Sequence, residues 1–155
     1  MKAITIHQPY ATLIAIGAKK YETRHWPTKY RGKIAIHAGK NMDGIFELAR
    51  EVKLRNRHLP ITLFADACLN AFKACGHYPS PFTLSKLPIG AVVAIGELVD
   101  CIPMDKMDEP NRNEKLFGFW AADRFAWQIE NVKFLDAPIT VAGKQGLWEW
   151  DYPAP

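Results

Sequence analysis

The sequence predicts an α+β fold, a small and mostly antiparallel β-barrel with added helices. Stretches with strand periodicity lie near both ends of the chain, at residues 4–6 and 127–135. Helical spacing fills the middle, between residues 43 and 75. A long apolar run at residues 90–101 is broken by Gly96, which is typical of a barrel strand that bends at a glycine. Periodicity alone does not distinguish a barrel from an open sheet.

Length and composition indicate one globular domain. The chain has 155 residues, of which 48% are hydrophobic, and this excludes disorder over most of its length. Its three cysteines are odd in number and lack C-x-x-C spacing, so they are expected to be reduced core thiols. The sequence shows neither the N-terminal apolar segment of a secretion signal nor an apolar run long enough to span a membrane. We therefore expect a cytoplasmic protein with no membrane partner.

The charge distribution favours a polyanionic partner. The formal net charge is +4. The first 40 positions contain one acidic residue, Glu22, and eight basic residues: Lys2, Lys19, Lys20, Arg24, Lys29, Arg31, Lys33 and Lys40. Acidic residues gather instead between positions 97 and 114. The basic first third is therefore the part of the chain in which a binding site is predicted.

The N-terminal segment predicts a strand followed by a short helix. Ile4 and Ile6 alternate with polar residues, as in a half-buried strand. Pro9 is suited to the first position of a helix, since its missing N–H has no partner there. Gly17 ends the helix, because glycine takes the left-handed conformation without steric cost.

A charged strand follows from residue 20. Alternation places Lys20, Glu22, Arg24 and Trp26 on one face, with Lys19 at its start. Such a cluster is compatible with catalysis, with phosphate binding or with a structural ion-pair network. Phosphate binding is favoured, because lysine and arginine both bind phosphates and aromatic rings lie directly downstream.

The remaining elements are predicted in order from local patterns. Residues 33–38 form a strand after a turn at Gly32, and a helix runs from Asp43, as N-cap, to about Arg57. A second helix covers residues 63–75 and ends at Gly76, with a buried stripe consisting of Phe64, Ala67, Cys68, Ala71, Phe72 and Cys75. Residues 78–88 are predicted to be a proline-rich loop, and residues 105–115 to be irregular. The strand at 127–135 is expected to pair with residues 147–150.

The run HQPYATLIAIGAKKYETRHWPTKYRGKIAIHA, residues 7–38, resembles the ASCH family (activating signal cointegrator homology). Two later segments, LPIGAVVAIGELVDC and PITVAGKQGLWEW, resemble the family more weakly. The resemblance therefore includes segments from the first strand to near the C-terminal end of the sequence. The resemblance implies a PUA-like barrel, a fold known as an RNA-binding module. It also implies a single ASCH domain over residues 1–155, with a helical insertion at about 41–88, where little of the resemblance is found.

The resemblance and the basic segment together predict binding of RNA or another single-stranded nucleic acid. Phosphates are expected to contact Lys19, Lys20, Arg24 and Arg31, and a base is expected to stack on Trp26 or Tyr30. Both rings are equally compatible with core positions. Lys144 and Gln145 form a polar loop between glycines, which is able to close on a ligand.

The alternative is a hydrolase that acts on RNA or on a modified nucleoside. The resemblance to the ASCH family implies this alternative, because some small ASCH proteins are amidohydrolases that remove an acetyl group from N4-acetylcytidine and others have been assigned ribonuclease activity. In the amidohydrolase pattern the lysine corresponds to Lys19, but the threonine nucleophile corresponds to Glu22, and Thr23 is one place away on the opposite strand face. The catalytic glutamate of the pattern has no clear counterpart in this sequence, and Glu109 and Glu114 are candidates by position only.

For this alternative, Lys19 and Glu22 are the candidate acid/base pair. The five histidines are scattered, and none has the i, i+4 spacing of a zinc motif, so neither a metal nor another cofactor is expected.

Overall fold

The computed structural model describes residues 1–76 and 80–152 as an α+β fold. The strands are β1 (Lys2–Ile6), β2 (Tyr21–Arg24), β3 (Gly32–Ala38), β4 (Ala91–Pro103), β5 (Phe125–Thr140) and β6 (Leu147–Glu149). The helices are α1 (Tyr10–Ala15), α2 (Asp43–Asn56), α3 (Leu63–Ala74), α4 (Pro81–Leu84) and α5 (Arg112–Leu116). No described helix has both the length and the apolar character that crossing a membrane requires.

The strands form one six-stranded mixed sheet in the order β2-β5-β4-β3-β1-β6. β1 and β3 are parallel, with Ile4 opposite Ile36, and the other neighbours are antiparallel. The prediction of a mostly antiparallel sheet is therefore corrected to a mixed one. The parallel pair is possible because the connection from β1 to β3 includes α1 and β2, which gives the chain the length to cross over.

The sheet is curled into a half-barrel. β2 is an edge strand, yet Nη2 of Arg24 donates a hydrogen bond of 2.8 Å to the carbonyl of Thr5 in β1, near the opposite edge. No strand ladder joins β2 to β6 within the described residues, so the expected barrel is corrected to an incompletely closed one. In a closed barrel, backbone hydrogen bonds would join the two edges of the sheet. Here the connection from β2 to β1 is this hydrogen bond from the Arg24 side chain.

The partner predicted for the last strand is wrong. β6 pairs with β1, with Trp148 opposite Ala3, whereas β5 lies between β4 and β2. Periodicity indicates which face of a strand is buried, but it does not indicate which strand lies beside it. The ladder between β4 and β5 is irregular at Gly96: its register shifts between Ile95 and Glu97, and a Cβ on Gly96 would lie 2.8 Å from a methyl carbon of Ile129.

Helices α2, α3 and α4 form a second core beside the sheet. The buried face of α3 consists of Ala65, Cys68, Leu69 and Phe72, so the predicted stripe is rotated by about one residue. Apolar residues surround most of this helix, and its sequence therefore does not fix the buried face.

Cys75 is exposed, and the expectation of a core thiol is wrong for this residue.

Three local predictions also differ from the structure. Met42, and not Asp43, is the N-cap of α2. Ser80 caps α4 through a capping box within the segment predicted to be a loop, of which residues 78 and 79 lie outside the described residues. Asn111 caps α5 by accepting a hydrogen bond from the N–H of Glu114, so the segment predicted to be irregular contains a helix.

Candidate nucleic-acid interface

A concave cavity of about 410 Å³ lies beside β2, and we call it the β2 cavity. Its walls are formed by the C-terminal end of β1, the N-terminal end of α1, the strand β2 and the segment after α5. It is lined by Thr5, Ile6, His7, Tyr10, Lys19, Glu22, Thr23, Arg24, His25, Leu116, Phe117, Gly118, Phe119 and Arg124. Its volume is within the range of about 300–1,000 Å³ found for small-ligand sites.

A compact ion cluster lies on one wall of the β2 cavity. Nζ of Lys19 is 4.0 Å from Oε2 of Glu22, and Nε of Arg24 is 2.9 Å from Oε1 of the same carboxylate. The Arg24 contact is electrostatic, because Nε is not aligned for a hydrogen bond. The carboxylate thus lies between two cations, and this fixes the orientation of all three groups.

Lys19 is almost completely buried at the base of this cluster. Its side chain is 1% exposed, and its ammonium donates a hydrogen bond to the carbonyl of Tyr21. Burial lowers the pKa of Lys19 below its ordinary value, while the carboxylates of Glu22 and Glu114 act in the opposite direction. The cavity therefore holds an amine that gives up its proton more readily than a surface lysine does.

Glu114 supports the chain behind the cavity. Its Oε1 accepts a hydrogen bond of 2.6 Å from the backbone N–H of Lys20, and its Oε2 accepts a longer one, 3.4 Å, from that of Tyr21. Burial raises the pKa of Glu114, although these bonds and the charge of Lys19 partly offset the effect. The start of β2 is therefore fastened to α5 by a buried carboxyl group.

The segment between α5 and β5 closes the other side of the cavity. The N–H of Phe119 donates to Oγ1 of Thr23 at 3.1 Å, and Nη2 of Arg124 donates to the carbonyl of Thr23 at 3.2 Å. A Cβ on Gly118 would lie 2.8 Å from Cγ2 of Thr23, so the segment approaches β2 as closely as a glycine permits. This contact places Phe119 and Arg124 on the cavity wall.

The protonation of Tyr10 also bears on the chemistry of the cavity. Burial is the main cause that raises the pKa of this phenol above its ordinary value, so it remains a neutral hydroxyl at neutral pH. With the guanidinium groups of Arg24 and Arg124, it adds a hydrogen-bond donor to the wall. The cavity is thus suited to a ligand that is rich in acceptors, such as a phosphate or a nucleobase.

The structure brings together only part of the predicted site. Lys19, Glu22 and Arg24 line the β2 cavity. The other predicted binding residues are outside its walls: Lys20, Trp26, Tyr30, Arg31, Lys144 and Gln145.

Three of these six make contacts that occupy their side chains. Tyr30 packs against the sheet core and donates a hydrogen bond from its hydroxyl to the carbonyl of Lys33. Trp26 is half-buried, and its ring packs edge-on against Trp127 at a centroid distance of 4.5 Å. Arg31 forms an ion pair of 2.7 Å with Asp100.

Sequence reasoning missed the distant half of the cavity wall, which includes Phe119 and Arg124. The run FGFW at residues 117–120 contains exposed and buried aromatic residues that composition does not distinguish: Phe117 is 1% exposed and Phe119 is 66% exposed. Thr23 was predicted on the opposite strand face, yet it also lines the cavity. Within residues 1–76 and 80–152, no group of three or more His, Cys, Asp or Glu side chains is arranged to hold a metal ion.

Comparison with known protein families identifies one match. The model of the ASCH domain matches residues 4–139, which is nearly the whole chain. The comparison with curated proteins found no match. The matched span includes both walls of the β2 cavity, from Thr5 to Arg124.

Proposed function

The chain belongs to the ASCH domain family, and from this premise we propose that it binds RNA or another single-stranded nucleic acid, with one nucleotide held in the β2 cavity. One observation carries the proposal: the cavity of about 410 Å³ is lined by three cationic side chains, Lys19, Arg24 and Arg124, and by one carboxylate, counting the described residues. An excess of positive charge in a concave site attracts phosphate. The volume suits one nucleotide better than a stacked base pair.

Cations outside the cavity extend the proposed contact surface. Lys20 and Lys144 are exposed, as is Gln145, whereas Arg31 is already paired with Asp100 and is left out of this surface. In the proposal, these side chains contact the phosphates of flanking nucleotides, while Arg24 contacts the phosphate of the nucleotide inside the cavity. Contacts of this kind strengthen binding without reading the base sequence. Trp26 is assigned to the core and not to the interface, because its ring packs against Trp127.

Binding is tested with a fluorescent single-stranded RNA of mixed sequence, whose anisotropy is measured at about 50 mM salt and at rising salt concentrations. The logarithm of the binding constant should fall linearly with the logarithm of the salt concentration, with a slope of about 0.7 for each phosphate contact. Absence of binding at the lowest salt concentration would contradict the proposal.

Arg24→Gln tests whether the cavity is the site. This variant should weaken binding and reduce the salt slope by about 0.7, because one phosphate contact is lost. Arg50→Gln is the matched control, since Arg50 is an exposed residue of α2 that lies outside the cavity lining and pairs with Glu47. Equal effects of the two substitutions would indicate a general effect of surface charge.

A hydrolase is the second candidate, and the lowered pKa of Lys19 beside Glu22 favours it. In this alternative, the pair acts as acid and base on RNA or on a modified nucleoside such as N4-acetylcytidine. Glu22→Gln should then abolish turnover and leave nucleic-acid affinity largely unchanged. Equal loss of turnover and affinity would indicate that Glu22 only holds the site together.

A further inference from the structure

We propose that the exposed ring of Phe119, with the guanidinium of Arg124 over it, is a stacking platform for an unpaired base at the β2 cavity. This inference rests on the proposed nucleic-acid binding and names the form of the ligand: a nucleotide whose base is not paired. It also adds a binding element from the segment after α5, which is distant in sequence from the basic N-terminal segment.

Phe119 is largely exposed, although it lines the β2 cavity. It is 66% exposed, although Phe117, two residues earlier, is 1% exposed and packs in the helical core. The Cζ atom of the Arg124 guanidinium lies 4.5 Å from the centroid of the Phe119 ring. The guanidinium thus lies over one face of the ring, and the two groups together form a flat cation–π surface of the kind on which single-stranded nucleic acids stack their bases, because every base has a π-face.

The backbone of Phe119 is fixed before any ligand binds. Its N–H donates to Thr23 Oγ1 at 3.1 Å, and its carbonyl accepts from Nε of Arg124 at 3.0 Å. Arg124 is anchored in turn to the carbonyl of Thr23. Because the backbone is already held in this way, it does not have to be ordered when a base binds, and this entropic cost is not subtracted from the stacking free energy.

The location of the Phe119 ring determines which form of nucleic acid it binds. Phe119 and Arg124 belong to the same wall of the β2 cavity, so a base on the ring places its sugar and phosphate near the cations of that cavity. In a duplex the faces of a base are covered by its stacked neighbours. The platform should therefore favour single strands, loops and ends over duplexes, with little preference for base identity.

The test compares Phe119→Ala with Phe82→Ala. Phe82, in α4, is also 66% exposed and also has a cation over its ring, the ammonium of Lys86 at 3.9 Å, but it does not line the β2 cavity. Anisotropy with a single-stranded RNA should give an affinity about 5- to 150-fold lower for Phe119→Ala. Phe82→Ala should bind as the unmodified protein does. The salt slope should not change, because no phosphate contact is removed.

Two further variants distinguish stacking on an aromatic ring from simple apolar contact with a side chain of similar volume. Phe119→Trp should retain or increase the affinity, whereas Phe119→Leu should lose most of what Phe119→Ala loses, because leucine has apolar volume but no π-face. A thermal melt of each variant checks that the fold persists. Nucleoside monophosphates and a duplex of the same sequence are measured in parallel, since they distinguish a free nucleotide from an unpaired base within a strand.

The outcomes distinguish this inference from the proposed function. If the unmodified protein binds RNA and Phe119→Ala binds equally well, the platform is overturned and nucleic-acid binding stands. The platform is also overturned if the duplex binds as tightly as the single strand, or if Phe119→Leu restores full affinity. If the unmodified protein binds no nucleic acid, the proposed function fails and the platform fails with it.

Discussion

The ammonium of Lys19 lies 4.0 Å from a carboxylate oxygen of Glu22, and the two side chains are only 1% and 10% exposed. Buried ion pairs are weak evidence for stability, since removing two charges from water offsets much of their attraction. Here the pair lies on the wall of a concave site and is joined by Arg24. A charged arrangement of this kind, which contributes little net stability, is consistent with a functional role.

Glu22→Gln should lower the free energy of unfolding by about 3 kcal/mol, because it leaves the buried charge of Lys19 without its nearest carboxylate. Glu47→Gln is the matched control. Glu47 pairs with Arg50 on the surface, where both side chains are about two-thirds exposed, and the substitution should change stability by less than about 1 kcal/mol. Urea denaturation measures both. Equal effects would show that the Glu22 carboxylate is not needed to compensate the charge of Lys19.

The lowered pKa of Lys19 predicts a specific dependence of stability on pH. In the unfolded chain this lysine keeps its proton up to about pH 10.5, whereas in the folded protein it releases the proton at a lower pH. Between these two values the unfolded state binds more protons, so the free energy of unfolding rises with pH. The slope is at most about 1.4 kcal/mol per pH unit for one group.

Lys19→Met isolates this effect, because methionine does not titrate. The difference in the free energy of unfolding between the unmodified protein and Lys19→Met should increase with pH within the window below 10.5. Urea denaturation over a series of pH values measures it. A difference that stays constant up to pH 10.5, or that decreases, would contradict a lowered pKa.

The local features of the first 40 residues could be predicted because their causes are local. Gly17 ends α1 with φ at +76°, as its position after a short apolar helix indicates. Glu22 and Arg24 lie together because residues two apart in a strand have the same face. Sequence spacing is sufficient wherever a contact joins neighbours along the chain.

The opposite wall of the cavity could not be predicted, because its contacts join distant parts of the chain. Thr23 meets Phe119 and Arg124, which are separated from it by 96 and 101 positions. These contacts depend on β5 lying beside β2, and the periodicity of β5 is compatible with several neighbours. The mixed sheet has the same origin, since the parallel pairing of β1 and β3 is a property of the connection and not of either strand.

Glu114→Gln should weaken the attachment of β2 to α5. The carboxylate accepts from two backbone N–H groups, whereas an amide has a single acceptor oxygen and places an NH₂ group against the second donor. We expect a loss of about 1–3 kcal/mol in the free energy of unfolding, measured by urea denaturation. Glu109→Gln is the control, since Glu109 pairs with Lys115 at the surface, and its substitution should leave stability unchanged. Stability that is unaffected in both variants would show that the Glu114 bonds are dispensable.

Gly118→Ala tests whether the position of the Phe119 segment matters for both stability and binding. A Cβ at this position would lie 2.8 Å from Cγ2 of Thr23 and 2.9 Å from Nε1 of Trp120, so the segment must move away from β2. Such overpacking destabilises by about 1–3 kcal/mol, and the displaced ring should also bind single-stranded RNA less tightly.

Gly17→Ala provides the contrast to Gly118→Ala. A Cβ on Gly17 meets no atom within 4 Å, but its φ of +76° is unfavourable for alanine, so the protein should lose about 1 kcal/mol in stability. Because Gly17 does not line the β2 cavity, RNA affinity should be unchanged at temperatures where the protein is folded. Thermal melts and anisotropy on the two variants separate loss of stability from loss of the binding surface. An equal loss of affinity in both would mean that binding follows stability and does not depend on where Phe119 is held.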